Sequence, residues 1–436
     1  MTKLTAVGAG YVGLVTSVCL AELGHEILVV DKDADRIDLL KEGRAPFHEP
    51  GLEESIFNFR DRLQFSSDPL RALTASDCVL VCVDTPSKQD GSADLDQVWN
   101  VIEQLPTEGS PLLVIMKSTV PVGTGARIQE QLLLTGRGHH RYCSNPEFLR
   151  EGSALADFMN PDRIVIGADD PTTRGKVAEL YRGVSGEVVM TDVRSAEMAK
   201  YASNAFLAAR ISLINEIANI CDVLGADVRM VARAVGLDKR IGPHFLEAGI
   251  GYGGSCLPKD LAALRSLAEQ AGYRADLLGA VAEVNNCQVD RSLAKLRRLL
   301  KGQVAGSRVA LLGLAFKPDT DDVRAAPACA LATRLLCEGS SVVAYDPEAR
   351  ENFRSSAREL ERVDYVDSAL EALRGADAAI LVTPWREFAA LDWVQAKGIM
   401  RRPVILDARN ALVDAGLPEL GFIYEGIGIA NGGLVT

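Results

Sequence analysis

The sequence predicts an α/β protein in which two doubly wound parallel-sheet domains are joined by a long helical linker. Three observations carry this expectation. Residues 4–31 read as strand, glycine turn, helix and strand; residues 195–225 form a helical pattern with no glycine or proline inside it; and the last third of the chain echoes the strand patterns of the first.

At 436 residues the chain is longer than one ordinary domain, and a hydrophobic fraction of 47% supplies ample core. A net charge of −12 with no block of Lys and Arg argues against nucleic acid or an anionic membrane as partner, so any anionic ligand has to be caught locally. The first residues run straight into a strand-like segment without a signal-peptide core, and no apolar run approaches a membrane span. A soluble, cytoplasmic protein is therefore expected. Nine scattered cysteines do not read as a disulfide framework, and no Cys/His cluster has zinc spacing, so no metal is expected. Cys78 and Cys82 fall on one face of a buried strand, and His139-His140 reads as a surface turn.

The opening unit contains Gly8-Ala9-Gly10-Tyr11-Val12-Gly13, which fits G-x-G-x-x-G, and Asp31 closes the second strand 23 residues after Gly8. Gly8 makes the turn, Gly10 lets the backbone approach a pyrophosphate at the helix N-terminus, and Gly13 permits close packing. Asp31 is placed to accept hydrogen bonds from a ribose and to repel a 2′-phosphate. The domain is thus Rossmann-like, with NAD rather than NADP as the expected cofactor. Further strand-like runs at 78–83, 112–116 and 164–167, with helical segments between several of them, imply a parallel sheet. Polar turns follow two of them, Asp84-Thr85-Pro86 and Lys117-Ser118-Thr119-Val120-Pro121. Ligands of an open α/β sheet bind beyond the strands' carboxyl ends, so Thr85 and Thr119 either face a cofactor or bond their own turns. Glu147 and Glu151 share a face if their segment is helical, with solvated surface as the plainer reading.

The 195–225 helix would span roughly 45 Å. Ala, Leu and Ile lie all round it, which implies burial against other helices. Lys200 and Asn204, one turn apart on the same face, then reach water or line a polar cavity. More helix is expected over 261–300, broken near Gly272, and so apolar a helical layer is a natural surface for a homodimer or higher homo-oligomer. Before it lies Gly251-Tyr252-Gly253-Gly254-Ser255-Cys256-Leu257-Pro258-Lys259-Asp260. Such a glycine turn can display Cys256 at a cleft, where the Lys259 ammonium would favour thiolate. The alternative is a small buried cysteine in a tight turn.

In the last third, Val342-Val343-Ala344-Tyr345-Asp346 echoes the strand ending at Asp31, and Asp377 to Pro384 echoes Asp77 to Pro86. This second Rossmann-like domain has a different glycine turn, Gly313-Leu314-Ala315-Phe316-Lys317, where a dinucleotide site needs small residues. A different anionic ligand is expected there, and Arg409, after the strand at 403–407, could fork onto its phosphate. The expected domains are 1–194, 195–302 and 303–436.

Assembled in this order, the motifs resemble the nucleotide-sugar 6-dehydrogenase family nearly end to end. The resemblance rests on the glycine turn, Lys117 to Thr124, Asn145-Pro146-Glu147-Phe148-Leu149-Arg150-Glu151-Gly152, Arg240-Ile241-Gly242, Gly253-Gly254-Ser255-Cys256 and Phe316-Lys317. The tract Asn160-Pro161-Asp162-Arg163-Ile164-Val165-Ile166-Gly167 is similar to the UDP-glucose branch, whereas Leu257 is the GDP-mannose-like choice, and Glu247 and Ala325 depart from commoner family residues.

The resemblance implies NAD-dependent, four-electron oxidation of UDP-glucose to UDP-glucuronate, with two NAD per sugar. Cys256 would hold the aldehyde as a thiohemiacetal and then as a thioester before hydrolysis. Lys200 and Asn204 would hold the C6 oxygen as charge develops, Asp260 would accept a proton, and Glu147 would assist hydrolysis; which group takes which proton stays open. Thr119 falls on a catalytic and cofactor position. Other cofactor positions implied are Gly8, Gly10, Tyr11, Val12 and Gly13, then Asp31, Arg36 and Thr85, then Glu151, Lys259 and Arg324. Sugar-nucleotide positions implied are Glu147, Phe148, Leu149, Arg150 and Glu151, with Lys200 and Asn204. Phe245, Leu246, Glu247, Ala248 and Gly249 follow, together with Gly253, Lys317 and Arg409. Arg240 is implied to reach a neighbouring subunit's site. Alternatives are a GDP-mannose or UDP-N-acetylhexosamine 6-dehydrogenase, or a non-catalytic dinucleotide-sensing protein, which would need none of Cys256, Lys200, Asn204 and Asp260.

Overall fold

The computed structural model describes residues 1–68, 73 and 76–429. The chain divides into two compact units, Met1–Ser203 with Ala262–Arg274, and Asn204–Leu261 with Ala275–Thr436. The division passes through two continuous helices, Val193–Leu224 and Leu257–Gln270.

The first unit holds an eight-stranded sheet in the order β3-β2-β1-β4-β5-β6-β7-β8. Its strands are β1 Lys3–Val7, β2 Glu26–Val30, β3 Leu63–Ser66, β4 Cys78–Val81, β5 Leu113–Met116, β6 Arg141–Ser144, β7 Arg163–Gly167 and β8 Glu187–Thr191. β1 is central, with Leu4 opposite Ile27 of β2 and Cys78 of β4. Successive side chains point to opposite faces, so Leu4, Ala6, Cys78, Leu80 and Cys82 join one core while Val7, Val79 and Val81 join the other. Burial on both faces explains why these strands read as continuous apolar runs. One expectation needs correcting: β7 is antiparallel to β6 and pairs with it only at Ser144 and Gly167. Residues 145–162 carry the chain onward past the end of β6, so β7 has to run back to meet it.

His140 is not a surface residue. It is buried, its Nδ1 accepts the Leu112 N–H at 3.0 Å, and its Nε2 lies 2.8 Å from the Pro106 carbonyl. Between them those two contacts fix the turn that leads into β6.

The second unit holds a six-stranded, all-parallel sheet in the order β11-β10-β9-β12-β13-β14. Its strands are β9 Arg308–Leu312, β10 Ser341–Tyr345, β11 Asp364–Tyr365, β12 Ala378–Leu381, β13 Val404–Asp407 and β14 Ile423–Gly426. The long helix Val193–Leu224 starts two residues before its expected bound because Asp192 caps it, accepting the Ser195 N–H at 2.9 Å. It stops at Gly225, which takes a φ of +76°. Ile214, Ala218 and Cys221 pack with Val228, Ala248 and Ile427. Phe206, Leu213 and Ile220 are exposed, so the helix is not buried all round in the single chain. The break near Gly272 separates Leu257–Gln270 from Asp276–Leu299. Among the described residues no helix is long and apolar enough to cross a membrane.

A buried charge cluster ties β14 to two helices. Lys295 donates to Asp222 Oδ1 at 2.7 Å, Glu425 Oε1 at 3.0 Å and the Gly426 carbonyl at 3.0 Å. Removing a buried cation strands its carboxylates. Lys295→Ala should therefore lower the midpoint of thermal unfolding by about 5 °C or more, as read by calorimetry.

Candidate active site

The first glycine turn is built for a close approach. Gly8 has a φ of +105°, and a Cβ on Gly13 would stand 1.8 Å from the Gly8 carbonyl oxygen. The helix Tyr11–Glu22 starts at Gly10 without a side-chain cap, leaving its first N–H groups for an anion. A Cβ on Gly10 would meet nothing nearer than Asp84 Oδ1 at 4.0 Å, so that side is open to a ligand. Just beyond β2, Asp31 is held by the N–H groups of Ala9 (2.7 Å) and Asp33 (3.0 Å) and by Arg36 Nη1 (3.1 Å). This cradle fits NAD: Gly8, Gly10 and Gly13 with the helix N-terminus would hold the pyrophosphate, and Asp31 the adenosine ribose.

The corresponding carboxylate of the second sheet is differently occupied. Asp346 accepts five hydrogen bonds, from Leu314, Ala315, Glu348 and Ala349 N–H and from Trp385 Nε1, at 2.6–3.1 Å. It is 3% exposed, so the ribose position is filled by protein.

Residues 145–150 are neither helix nor strand, so Glu147 and Glu151 do not share a helical face. Glu147 is buried and accepts from Lys200 Nζ at 2.8 Å and from Leu149 N–H at 2.5 Å. Burial alone would raise its pKa, but the Lys200 charge and hydrogen bond, the Leu149 N–H and Lys117 together hold it below the ordinary carboxylate value. Lys200 thus does not reach water. It pairs with Glu147 and lies 5.4 Å from the centroid of the Phe148 ring, which Arg163 overlies at 3.7 Å. Arg150 forks onto Asp157.

Several supports of this unit have no counterpart in the sequence reading. Tyr11 donates to Glu49, whose oxygens also accept Gly152 N–H at 2.6 Å and Ala154 N–H at 2.8 Å. Glu49 therefore links the glycine turn to the 147–152 segment. The signal available was a lone acid within Pro46-Phe47-His48-Glu49-Pro50-Gly51, a turn with no periodicity to interpret. Lys117 is buried against Asn145 Oδ1 and Tyr181 OH, both at 3.2 Å. Thr85 donates to the Thr119 carbonyl at 2.9 Å, joining the two polar turns.

In the second unit, Cys256 is exposed and immediately precedes the helix Leu257–Gln270, with its carbonyl accepting the Asp260 N–H at 2.9 Å. Asp260 is 1% exposed. Its Oδ2 accepts from Asn204 Nδ2 and its Oδ1 from Lys259 Nζ, both at 2.6 Å. Ser255 Oγ stands 3.5 Å from the Cys256 sulfur. The turn is wedged in place: Gly254 takes a φ of +84°, and a Cβ there would lie 2.8 Å from the Phe316 ring. A Cβ on Gly253 would lie 2.2 Å from the Ala325 carbonyl. Asn285 braces the same turn, accepting Tyr252 N–H at 2.8 Å and donating to the Tyr252 carbonyl at 3.1 Å.

Residues 245–249 lead into this turn. Phe245 has a φ of +60°, a strained value for a bulky residue. Asn215 of the long helix accepts the Gly249 N–H at 2.8 Å. Arg409 donates to the carbonyls of Val382 (2.8 Å) and Gly251 (2.9 Å), so its guanidinium is engaged with backbone. Lys317 lies 5.5 Å from the centroid of the Phe316 ring. Arg324 forks onto Asp322, and Arg240, 89% exposed, forks onto Asp238. Arg210 fixes the loop carrying Arg240 by donating to the carbonyls of Ile241, Gly242 and His244 at 2.7–2.9 Å.

Comparison with known proteins agrees with this division of labour along the chain. Residues 2–185 match the NAD binding domain of the UDP-glucose/GDP-mannose dehydrogenase family, 194–287 its central domain and 310–414 its UDP binding domain. The chain is 44% identical to a UDP-glucose 6-dehydrogenase of Pseudomonas aeruginosa, over 99% of this chain and 98% of that one. Among solved structures, a UDP-glucose dehydrogenase from the archaeon Pyrobaculum islandicum superposes with a TM-score of 0.91 at 38% identity, covering 99% of this chain and 98% of that one. A UDP-D-ManNAc dehydrogenase from Pyrococcus horikoshii gives 0.85 at 26% identity, covering 98% and 99%. Three domain matches in sequence order and full-length identity of this degree identify the chain as a member of the UDP-glucose/GDP-mannose dehydrogenase family, whose enzymes are NAD-dependent dehydrogenases.

Proposed function

We propose that the chain oxidises UDP-glucose to UDP-glucuronate with two NAD per sugar, through a covalent intermediate on Cys256. The observation that carries the reading is the Cys256 turn. An exposed thiol at a helix start, followed four residues later by a buried carboxylate held by an amide and an ammonium, is an arrangement that ligand binding alone does not need.

The first oxidation removes a hydride from C6 and the proton of its hydroxyl, and Asp260 takes that proton through water. The Cys256 sulfur then bonds to the aldehyde carbon, and the aldehyde oxygen gains the thiol proton. Loss of a second hydride and a proton leaves a thioester. Water adds, the C–S bond breaks, and the carboxylate and free thiol result. NAD held by Gly8, Gly10, Gly13 and Asp31 would supply the hydride acceptor for each oxidation. Lys200 and Asn204 stabilise the oxygen on C6 as it becomes negative, and Glu147 holds the Lys200 ammonium and assists hydrolysis. Thr85 and Thr119 present the two polar turns to the cofactor, and Arg36, Glu151, Lys259 and Arg324 complete its cation and carboxylate contacts. Lys317, Arg409 and the 245–249 segment take the nucleotide diphosphate.

In this reading residues 1–194 bind NAD, 195–302 carry the thiol and the dimer surface, and 303–436 bind the sugar nucleotide, in the cytoplasm. The dimer is supported by Phe206, Leu213 and Ile220, which recur every seven residues on the long helix and are 52–74% exposed. Arg240 then reaches into the partner copy's site.

NADH release against a panel of sugar nucleotides tests the function. Two NADH per UDP-glucose, with GDP-mannose and UDP-N-acetylhexosamines at least about tenfold poorer in kcat/KM, is the expected result. Cys256→Ser should cut net uronate formation by more than about a thousandfold while leaving NAD affinity within about twofold by equilibrium titration. Leu213→Asp should convert the dimer to a monomer in light scattering, and an unchanged mass would contradict the assigned surface.

A further inference from the structure

Glu197 is a carboxylate for which the reaction above has no use. It is 2% exposed, sits one turn before Lys200 on the long helix, and accepts two backbone hydrogen bonds, from Gly123 N–H and Gly125 N–H, both at 2.7 Å. Those N–H groups open the helix Thr124–Leu134, which directly follows the polar turn bearing Thr119. The approach is close: a Cβ on Gly125 would lie 2.4 Å from Val193 Cγ1, 2.6 Å from Tyr142 Cε1 and 3.0 Å from Glu197 Oε1. Ser118 ties the other end of the turn to the Val83 carbonyl at 2.6 Å. The turn is therefore held at one end by β4 and its following residues, at Thr119 by Thr85 and at the other end by Glu197.

We propose that Glu197 is a positioning residue that sets the Thr119 turn against the helix carrying Lys200, and that the cofactor side of the site is in register only while both of its oxygens accept. The inference rests on the reading of Thr119 as a cofactor contact. A carboxylate can accept both N–H groups; a carboxylic acid presents a hydroxyl to one of them and loses that bond. Proton uptake at Glu197 thus loosens the turn.

The groups facing Glu197 place this change near neutrality. Burial raises its pKa to about 7 and Asp192 adds to the rise, while the Gly123 and Gly125 N–H groups and Arg194 pull it down. Tyr142 of β6 faces it as a neutral phenol, its own pKa pushed well up by burial and by the Glu197 charge. Because the folded value exceeds the ordinary 4.5, the folded chain takes up a proton between those two values. The charge present above pH 7 therefore costs stability, and that cost is relieved as pH falls. The aligned turn is the less stable protonation state of the fold.

Equilibrium NAD titration with the full-length chain tests this. Wild type should lose about tenfold in NAD affinity between about pH 8.5 and about pH 6. Glu197→Gln, whose amide can accept only one of the two N–H groups, should show the weak affinity of the acidic wild type at every pH, with its fold verified by circular dichroism. A Glu197→Gln chain that follows the wild-type pH curve, or that matches wild-type affinity within about twofold at the high-pH end, overturns the proposal. If that variant does not fold, the wild-type titration decides, and an NAD affinity flat over this range overturns the proposal by itself. Failure to bind NAD at high pH would sink the functional reading as well, whereas tight binding without a pH slope would sink the role of Glu197 alone.

Discussion

The ion pair between Lys200 and Glu147 is the interaction on which the order of the 145–150 segment in the first unit depends. Both groups are nearly removed from water, a placement that is tolerable only because each satisfies the other and because Leu149 N–H adds a further bond to the carboxylate. Lys200 stands on a helix of 32 residues, and Glu147 on a segment with no regular structure. The pair therefore transfers the helix's order to the loop. Glu49 does the same for the next stretch, joining Gly152 and Ala154 to Tyr11 and so to the glycine turn. In both cases a segment without regular structure is ordered by a buried carboxylate bonded across to a different element.

The second unit repeats the device with the partners exchanged. Here the carboxylate, Asp260, is on the rigid helix, and an amide and an ammonium orient it. The thiol four residues earlier stays exposed because a glycine wedge against Phe316 and Ala325 holds the turn away from the helix body. The buried carboxylate and the exposed thiol are thus one helical turn apart, which ties their spacing to helix geometry.

Much of this was legible in the sequence, and the parts that were not share a physical cause. The two sheets follow from period-2 strands and glycine turns, and the long helix from an uninterrupted run ended by glycine. The exposed cysteine follows from its glycine neighbours. Contacts between residues far apart in the chain leave no local pattern: Glu49 with Gly152, Glu197 with Gly123, Lys117 with Tyr181 and Lys295 with Glu425 are each ordinary charged residues until the fold brings their partners close. The reversal of β7 was hidden because strand direction depends on where a connection runs, and the 145–162 segment has no periodicity that reveals it. His140 looked like surface because a polar pair in a turn usually is; its burial comes from carbonyl and N–H groups of distant turns.

The filled position around Asp346 has a consequence for how the two ligands share one chain. Two sheets that share a strand order would ordinarily offer two berths for the same dinucleotide. Five protein donors on Asp346, with the Trp385 indole among them, leave no acceptor there for an adenosine ribose. The acceptor that the first sheet offers at Asp31 is thus spent on protein at the second, so the two sheets are not interchangeable berths although their first six strands follow the same order.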